Sequence, residues 1–164
     1  MSGRRRTPGG SGGQPPVRAA LKSTSSLVHQ VQDGLGGLAN SHRNLIAQDV
    51  KTQIGDSLDL DAALQAAYPN DHRWDYLLGR SGKVLGLEPH SAKEDQVSTV
   101  IDKRKAARDH LKAHLKAGAK VHAWFWVASN RVEFANTERT IRRLDQNGIH
   151  FVGKQLQAKH LKDK

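Results

Sequence analysis

Residues 73–90 read RWDYLLGRSGKVLGLEPH, and this stretch decides the fold. Residues 73–79 and 83–90 read as two strands, and Arg80-Ser81-Gly82 between them is a tight hairpin signal. With Ser81-Gly82 as a two-residue loop, Arg80 faces Lys83 and the ladder sets Asp75 directly opposite Glu88. A four-residue loop from Arg80 to Lys83 keeps this register, and a three-residue loop breaks it. Side chains alternate along a strand, so His90 shares the face of Glu88. Asp75, Glu88 and His90 are therefore expected to project together near one end of the hairpin.

Downstream, Ser91 and Glu94 form an S-x-x-E capping box that opens a long helix. Val97, Val100, Ile101, Ala107, Leu111 and Leu115 line one face of it, and Gly118 stands where a C-terminal cap belongs. Residues 120–128, KVHAWFWVA, are apolar on both faces and predict a central buried strand. Trp124, Phe125 and Trp126 are assigned to its core in preference to base stacking. Trp74 and Tyr76, on the face opposite Asp75, are assigned to the core as well. Ser129-Asn130-Arg131 is read as a turn into a short strand ending at Phe134. Asn136 or Thr137 caps a helix carrying Ile141 and Leu144, Asn147-Gly148 ends it, and residues 149–153 make a last short strand.

Upstream, residues 17–54 are read as two helices, although Gly34, Gly36 and Gly37 weaken the first. Asp59 or Asp61 caps a short helix through Ala62, Leu64 and Ala67. Residues 1–16, MSGRRRTPGGSGGQPP, read as a disordered basic tail in which Arg4, Arg5 and Arg6 can touch phosphate or simply solubilise. The expected architecture is α/β (α+β): a mixed central sheet of four to five strands flanked by helices. A helical segment at 17–56 packs with a core at 57–164 as one domain.

Composition sets the outer bounds. The chain has 164 residues and 18.0 kDa, the size of one domain. No apolar run approaches the ~18 residues of a membrane span, and the basic N-terminus is not followed by the apolar run of a secretory signal. Cysteine is absent, which excludes disulfides, thiol catalysis and cysteine zinc sites. A soluble cytoplasmic protein is expected. The formal charge of +10 is unevenly placed: residues 23–102 carry a net −5 and residues 103–164 a net +10. A one-signed basic half suits a polyanion such as nucleic acid, because Lys and Arg release counterions condensed on phosphates. A merely solvated basic face is the plain alternative.

The chemistry follows from the register. Carboxylates directly opposite on adjacent strands lie ~5 Å apart at Cβ, and like charges there are destabilising. Leu77, Val84 and Gly86 make the same face apolar and raise the cost of uncompensated charge. A shared proton can relieve it, but a divalent cation is the better candidate, since hard oxygen ligands suit Mg²⁺ or Mn²⁺. Asp75 and Glu88 are the expected metal ligands.

Asp75, a short hairpin, then Glu88-Pro89-His90 resembles the PD-(D/E)XK nuclease superfamily, which has the restriction-endonuclease-like fold. The likeness covers roughly residues 57–156, in element order as well as motif. It implies metal-dependent hydrolysis of phosphodiester bonds in DNA or RNA. Trp74-Asp75 stands where the family often has Pro-Asp, and His90 stands where a lysine is usual. His90 then acts as general base or further ligand, with Lys93, one turn into the following helix, as the charge donor. The resemblance also allows Gln96 to place substrate, although a solvent-facing role is the stronger expectation. Arg104, Lys105, Arg108 and Lys112, together with Arg139, Arg142 and Arg143, are expected to carry the phosphate backbone. In the same reading Lys103 is only one more cation on that solvated face. His110 and His114 have metal-ligand spacing, a weak signal on its own. A homodimer or larger complex is expected from the small size. The alternative function is a catalytically lapsed member of the same fold that binds nucleic acid or another protein as an adaptor or immunity-type module.

Overall fold

The computed structural model describes residues 13–162. In chain order the elements are α1 (Pro16–Ala20), β1 (Gln32–Asp33), α2 (Asn40–Arg43), α3 (Gln48–Lys51), β2 (Ile54–Asp59) and α4 (Leu60–Leu64). They continue with β3 (Tyr76–Arg80), β4 (Lys83–Lys93), α5 (Val97–Leu111), β5 (Val121–Glu133), α6 (Thr137–Gln146) and β6 (Ile149–Phe151). The strands form one open six-stranded sheet in simple sequence order, not the four to five strands expected, because β1 and β2 come from the segment read as helical. β1 to β4 pair antiparallel, whereas β4–β5 and β5–β6 are parallel. Parallel neighbours need a crossover, and α5 and α6 supply the two. The fold is thus α/β with a mixed sheet. None of its described helices is long and apolar enough to cross a membrane.

The hairpin has the register expected from its turn. Arg80 pairs with Lys83, and the ladder runs without slip to Tyr76 opposite Leu87. Ser81 and Gly82 both take positive φ, 51° and 75°, as the two central residues of a twist-matched two-residue turn must. Side chains then sort to two faces. Leu77, Trp124 and Trp126 pack under α5 with Trp74, Val97, Val100 and Leu111. Leu78, Leu85, Phe125 and Val127 pack on the other side with Ile46, Val50 and Leu156. Residues 123–128 of the 120–128 run are core on both faces, as expected, whereas Lys120 and His122 are exposed. Trp74 and Tyr76 are both buried, but in different clusters, because Trp74 lies before the strand begins.

Several local expectations are corrected. Residues 17–54 are not two helices: they hold short helices, a 3-10 turn at Ser26–Gln30 and strand β1, and the expected boundary at 56/57 falls inside β2. β2 escapes an apolar pattern because two of its buried side chains are polar. Asp56 accepts from Val17 N (3.0 Å) and Arg18 N (2.9 Å) at the start of α1, and Ser57 Oγ accepts from Gly37 N (2.8 Å). β5 does not turn at Ser129-Asn130-Arg131. It runs on to Glu133, and a bulge against β4 absorbs the polar residues, with pairing passing from His90–Ala128 to Ala92–Val132. α5 ends at Leu111, before Gly118. Ser91 caps nothing, since β4 extends to Lys93. Glu94 instead accepts from Thr140 Oγ1 (3.0 Å) and Ala135 N (3.2 Å), which ties the start of α5 to α6. Asp59 does cap α4, accepting from Ala62 N at 2.9 Å. Of the tail expected over 1–16, residues 1–12, with Arg4 to Arg6, lie outside the described residues, and Pro16 already belongs to α1.

Candidate functional site

The hairpin ladder, extended one residue past Tyr76–Leu87, brings Asp75 up to Glu88. The contact between them is not carboxylate to carboxylate. Glu88 Oε1 accepts from the backbone N–H of Asp75 at 2.9 Å, which fixes the Glu88 side chain on the α5 face of β4. Glu88 is fully buried, while the Asp75 side chain keeps about a fifth of its surface.

The neutralising charge comes from α5. Lys103 Nζ donates to Asp75 Oδ1 at 3.2 Å and forms a closer hydrogen-bonded ion pair with Glu88 Oε2, so one ammonium bridges both acids. His90 joins from the β4 side. Its Nδ1 stands 3.2 Å from Glu88 Oε2 and its Nε2 stands 2.8 Å from Gln96 Oε1. Trp126 Nε1 donates to the His90 carbonyl at 3.1 Å and holds this part of β4 in place. β4 therefore supplies Glu88 and His90, the residue before β3 supplies Asp75, the turn before α5 supplies Gln96, and the middle of α5 supplies Lys103.

The charges are strongly coupled. Burial, and after it the neighbouring Glu88, push the Asp75 carboxyl up to about 7 against the opposing pull of Lys103. His90 is raised mainly by its hydrogen bond to Glu88, against the opposing effect of burial. Burial also lowers the Lys103 ammonium, but attraction from Glu88 and Asp75 outweighs this and its pKa is raised.

Two assignments change. Lys93 is the last residue of β4, exposed to solvent, and is not on the following helix, so it is not the ammonium that reaches the acids. Lys103 takes that place. Its charge groups it with the solvated cations, yet it is only 13% exposed at its side chain. The available signal was its position three residues after Val100 and four before Ala107, at the rim of the apolar stripe. Gln96 is half-buried against His90 and does not face solvent freely. Its signal was weaker, one polar residue just before the first apolar position of the helix.

The expected phosphate-tracking residues divide. Lys105, Arg108 and Lys112 on α5 and Arg139, Arg142 and Arg143 on α6 are exposed, and Arg143 reaches across to Ser98 Oγ at 3.0 Å. Arg104 is not on the solvated side. It lies seven residues after Val97 and seven before Leu111, within the apolar arc, and its guanidinium carbon sits 5.7 Å above the Trp124 ring. His110 and His114 do not form a metal pair. His110 Nε2 meets Asp71 Oδ2 at 2.9 Å and stacks on Tyr68, whereas His114 Nδ1 meets Ser25 Oγ at 2.8 Å.

Hard carboxylate oxygens from Asp75 and Glu88 suit a small divalent cation, and relief of the like-charge cost that raises Asp75 would favour one. Among the described residues no group of three or more His, Cys, Asp or Glu side chains is placed to hold a metal ion. No protein-family model, curated protein or solved structure matches the chain.

Proposed function

We propose that this chain is a metal-dependent, nuclease-like phosphodiesterase acting on DNA or RNA, on a restriction-endonuclease-like version of its α/β core. The observation that carries the reading is the convergence of Asp75, just before β3, with Glu88 of β4 and Lys103 of α5 beside a partly open surface. Two acids and an ammonium at hydrogen-bonding distance match the acid, acid and lysine set of the PD-(D/E)XK superfamily, with the lysine delivered by the helix instead of the strand.

Asp75 and Glu88 would hold Mg²⁺ or Mn²⁺, and the ion supplies a Lewis acid and an activated water. Lys103, already between the acids, is placed to donate to a phosphoryl oxygen as negative charge develops there. His90, pinned between Glu88 and Gln96, would take up or release a proton near neutral pH. Gln96 positions that ring and is a positioning residue rather than a catalytic one. The exposed cations of α5 and α6 would hold the phosphate backbone, since the two helices are joined through Arg143–Ser98 and Glu94–Thr140.

A second reading, the lapsed module, is favoured by one specific feature. Lys103 bridges both acids, so the cluster is already charge-compensated without any ion. Cleavage of single- and double-stranded DNA and RNA, with Mg²⁺, Mn²⁺ or EDTA, separates the two. Metal-dependent cutting lost in both Glu88→Ala and Lys103→Met supports the nuclease. Binding without cutting supports the lapsed module, and neither binding nor cutting removes both.

A further inference from the structure

The C-terminal half of α5 overhangs the start of β5 and encloses a cavity of about 410 Å³. It lies toward the opposite end of the parallel pair from the acids. Val121, at its wall, pairs with Val84 at the start of β4, whereas Glu88 pairs with Trp126 further along. Its volume falls within the roughly 300–1,000 Å³ of small-molecule sites.

Its lining has two characters. Five cations surround it, Arg104, Arg108, Lys112, Lys116 and Lys120, and no acid is among the described residues that line it. Of these, Lys112 shares its charge with Asp109 at 3.4 Å, on the exposed side of the helix. The floor is apolar, made by Leu111, Leu115, Val121 and Trp124. Arg104 joins the two characters. Its guanidinium covers the Trp124 ring, and its Nε is buried with no hydrogen-bond acceptor among the described residues. A guanidinium nitrogen buried without an acceptor is costly, and so is a concentration of like charge. Burial and the adjacent Arg108 both act against the Arg104 charge. An anion in the cavity would relieve the repulsion among these cations. Five cations call for more than one negative charge, which a phosphate carries and a single carboxylate does not. The apolar floor calls for a body that an inorganic ion lacks.

We infer that this cavity binds a nucleoside phosphate, with its phosphate among Arg104, Arg108 and the lysines and its base on the floor of Leu115 and Val121. The ligand is either a free nucleotide or the terminal nucleotide of a strand. The inference holds whether or not Asp75 and Glu88 cut phosphodiester bonds, since binding is measured in the absence of divalent metal.

The test is calorimetric titration of the full chain, in EDTA, with adenosine and guanosine monophosphates, inorganic phosphate and a 5′-phosphorylated tetranucleotide. The variants are Arg108→Glu, at an exposed position, and Arg104→Met, each checked for fold by circular dichroism. A nucleotide should bind at least ~10-fold more tightly than phosphate, and Arg108→Glu should weaken it by at least ~10-fold, or about 1.4 kcal/mol. Arg104→Met, where it folds, should weaken it as well. A tetranucleotide tighter than the monophosphates identifies a strand end as the source, and the reverse order identifies the free nucleotide. Absence of nucleotide binding overturns the inference. So does phosphate binding as tightly as nucleotide, or unchanged binding by Arg108→Glu.

Discussion

Two carboxylates are completely buried in this one sheet, Asp56 on β2 and Glu88 on β4, and they are held in different ways. Asp56 accepts from two backbone amides at the start of α1. Those amides have no partner within their own helix, and they cannot leave Asp56 without undoing the N-terminal packing. Glu88 has one backbone amide, from Asp75, and otherwise depends on Lys103 and His90. An ammonium on four methylenes can swing away at the cost of a rotamer change. The first carboxylate is a peg. The second belongs to a compensated but exchangeable cluster, the kind of place where a ligand can replace an internal partner.

The largest effect should come from breaking the exchangeable cluster in the absence of ligand. Lys103→Met leaves Asp75 and Glu88 close together without their bridging cation, and removing one partner of a buried ion pair costs about 3–5 kcal/mol. Urea denaturation measures it, with Lys103→Arg expected to retain most of the stability. Asp56→Asn should cost less, about 1–3 kcal/mol, because the amide keeps one acceptor oxygen while turning an NH₂ toward the N–H groups of Val17 and Arg18. If the order of these two losses is reversed, Lys103 is not the main partner of the acids and the comparison fails.

Asp75 sharpens the contrast through pH. Its pKa is about 7 in the fold, against ~3.9 for an unfolded aspartate. The folded state therefore binds the proton more tightly. The stability this contributes is complete below about pH 3.9 and is lost progressively as pH rises toward 7. Asp75→Asn resembles the protonated form and lacks this dependence. The stability of the parent chain relative to Asp75→Asn should consequently fall between pH 4.5 and pH 8, as read from urea midpoints at both values. A difference that stays level, or grows with pH, would show that Lys103 holds Asp75 ionised throughout.

How much of this was legible depends on whether a buried side chain is apolar. The register of the β3–β4 hairpin could be read because Ser81-Gly82 forms a two-residue turn and the core positions are Leu and Val, although β3 starts at Tyr76 instead of residue 73 and β4 runs on to Lys93. The meeting of Asp75, Glu88 and His90 followed directly from that register. β2 could not be read, since Asp56 and Ser57 spend their burial on the distant N–H groups of Val17, Arg18 and Gly37, which no local pattern announces. Lys103 and Arg104 escaped for a related reason. Both are cations placed at the rim or within the apolar arc of α5, and charge alone assigned them to solvent. The helical geometry was sufficient to suggest otherwise, but the partners that make such burial tolerable lie on other strands. The 129–131 turn failed because a bulge accommodates polar residues in a strand as well as a turn does.

The smallest expected effect probes how the ring of His90 is held. Its two nitrogens face oxygen atoms, Glu88 Oε2 on one side and Gln96 Oε1 on the other. A neutral imidazole has a single N–H and can satisfy only one of them, so the protonated ring fits this setting best. The hydrogen bond to Glu88 is the main cause of its raised pKa, and Gln96 adds to it in the same direction. Gln96→Ala should therefore move the His90 pKa down toward its ordinary value, and NMR titration of the ring protons reads this directly. The loss in stability should be only about 0.5–1.5 kcal/mol, because the site is half-open and water can replace the amide. A downward shift means that a protonated His90 and Lys103 set two cations against two acids, so an incoming divalent ion must displace one cation or meet a deprotonated His90. An unchanged or raised His90 pKa means that the Gln96 amide is turned to donate its N–H to Nε2, and the cluster then carries one cation fewer to obstruct a metal.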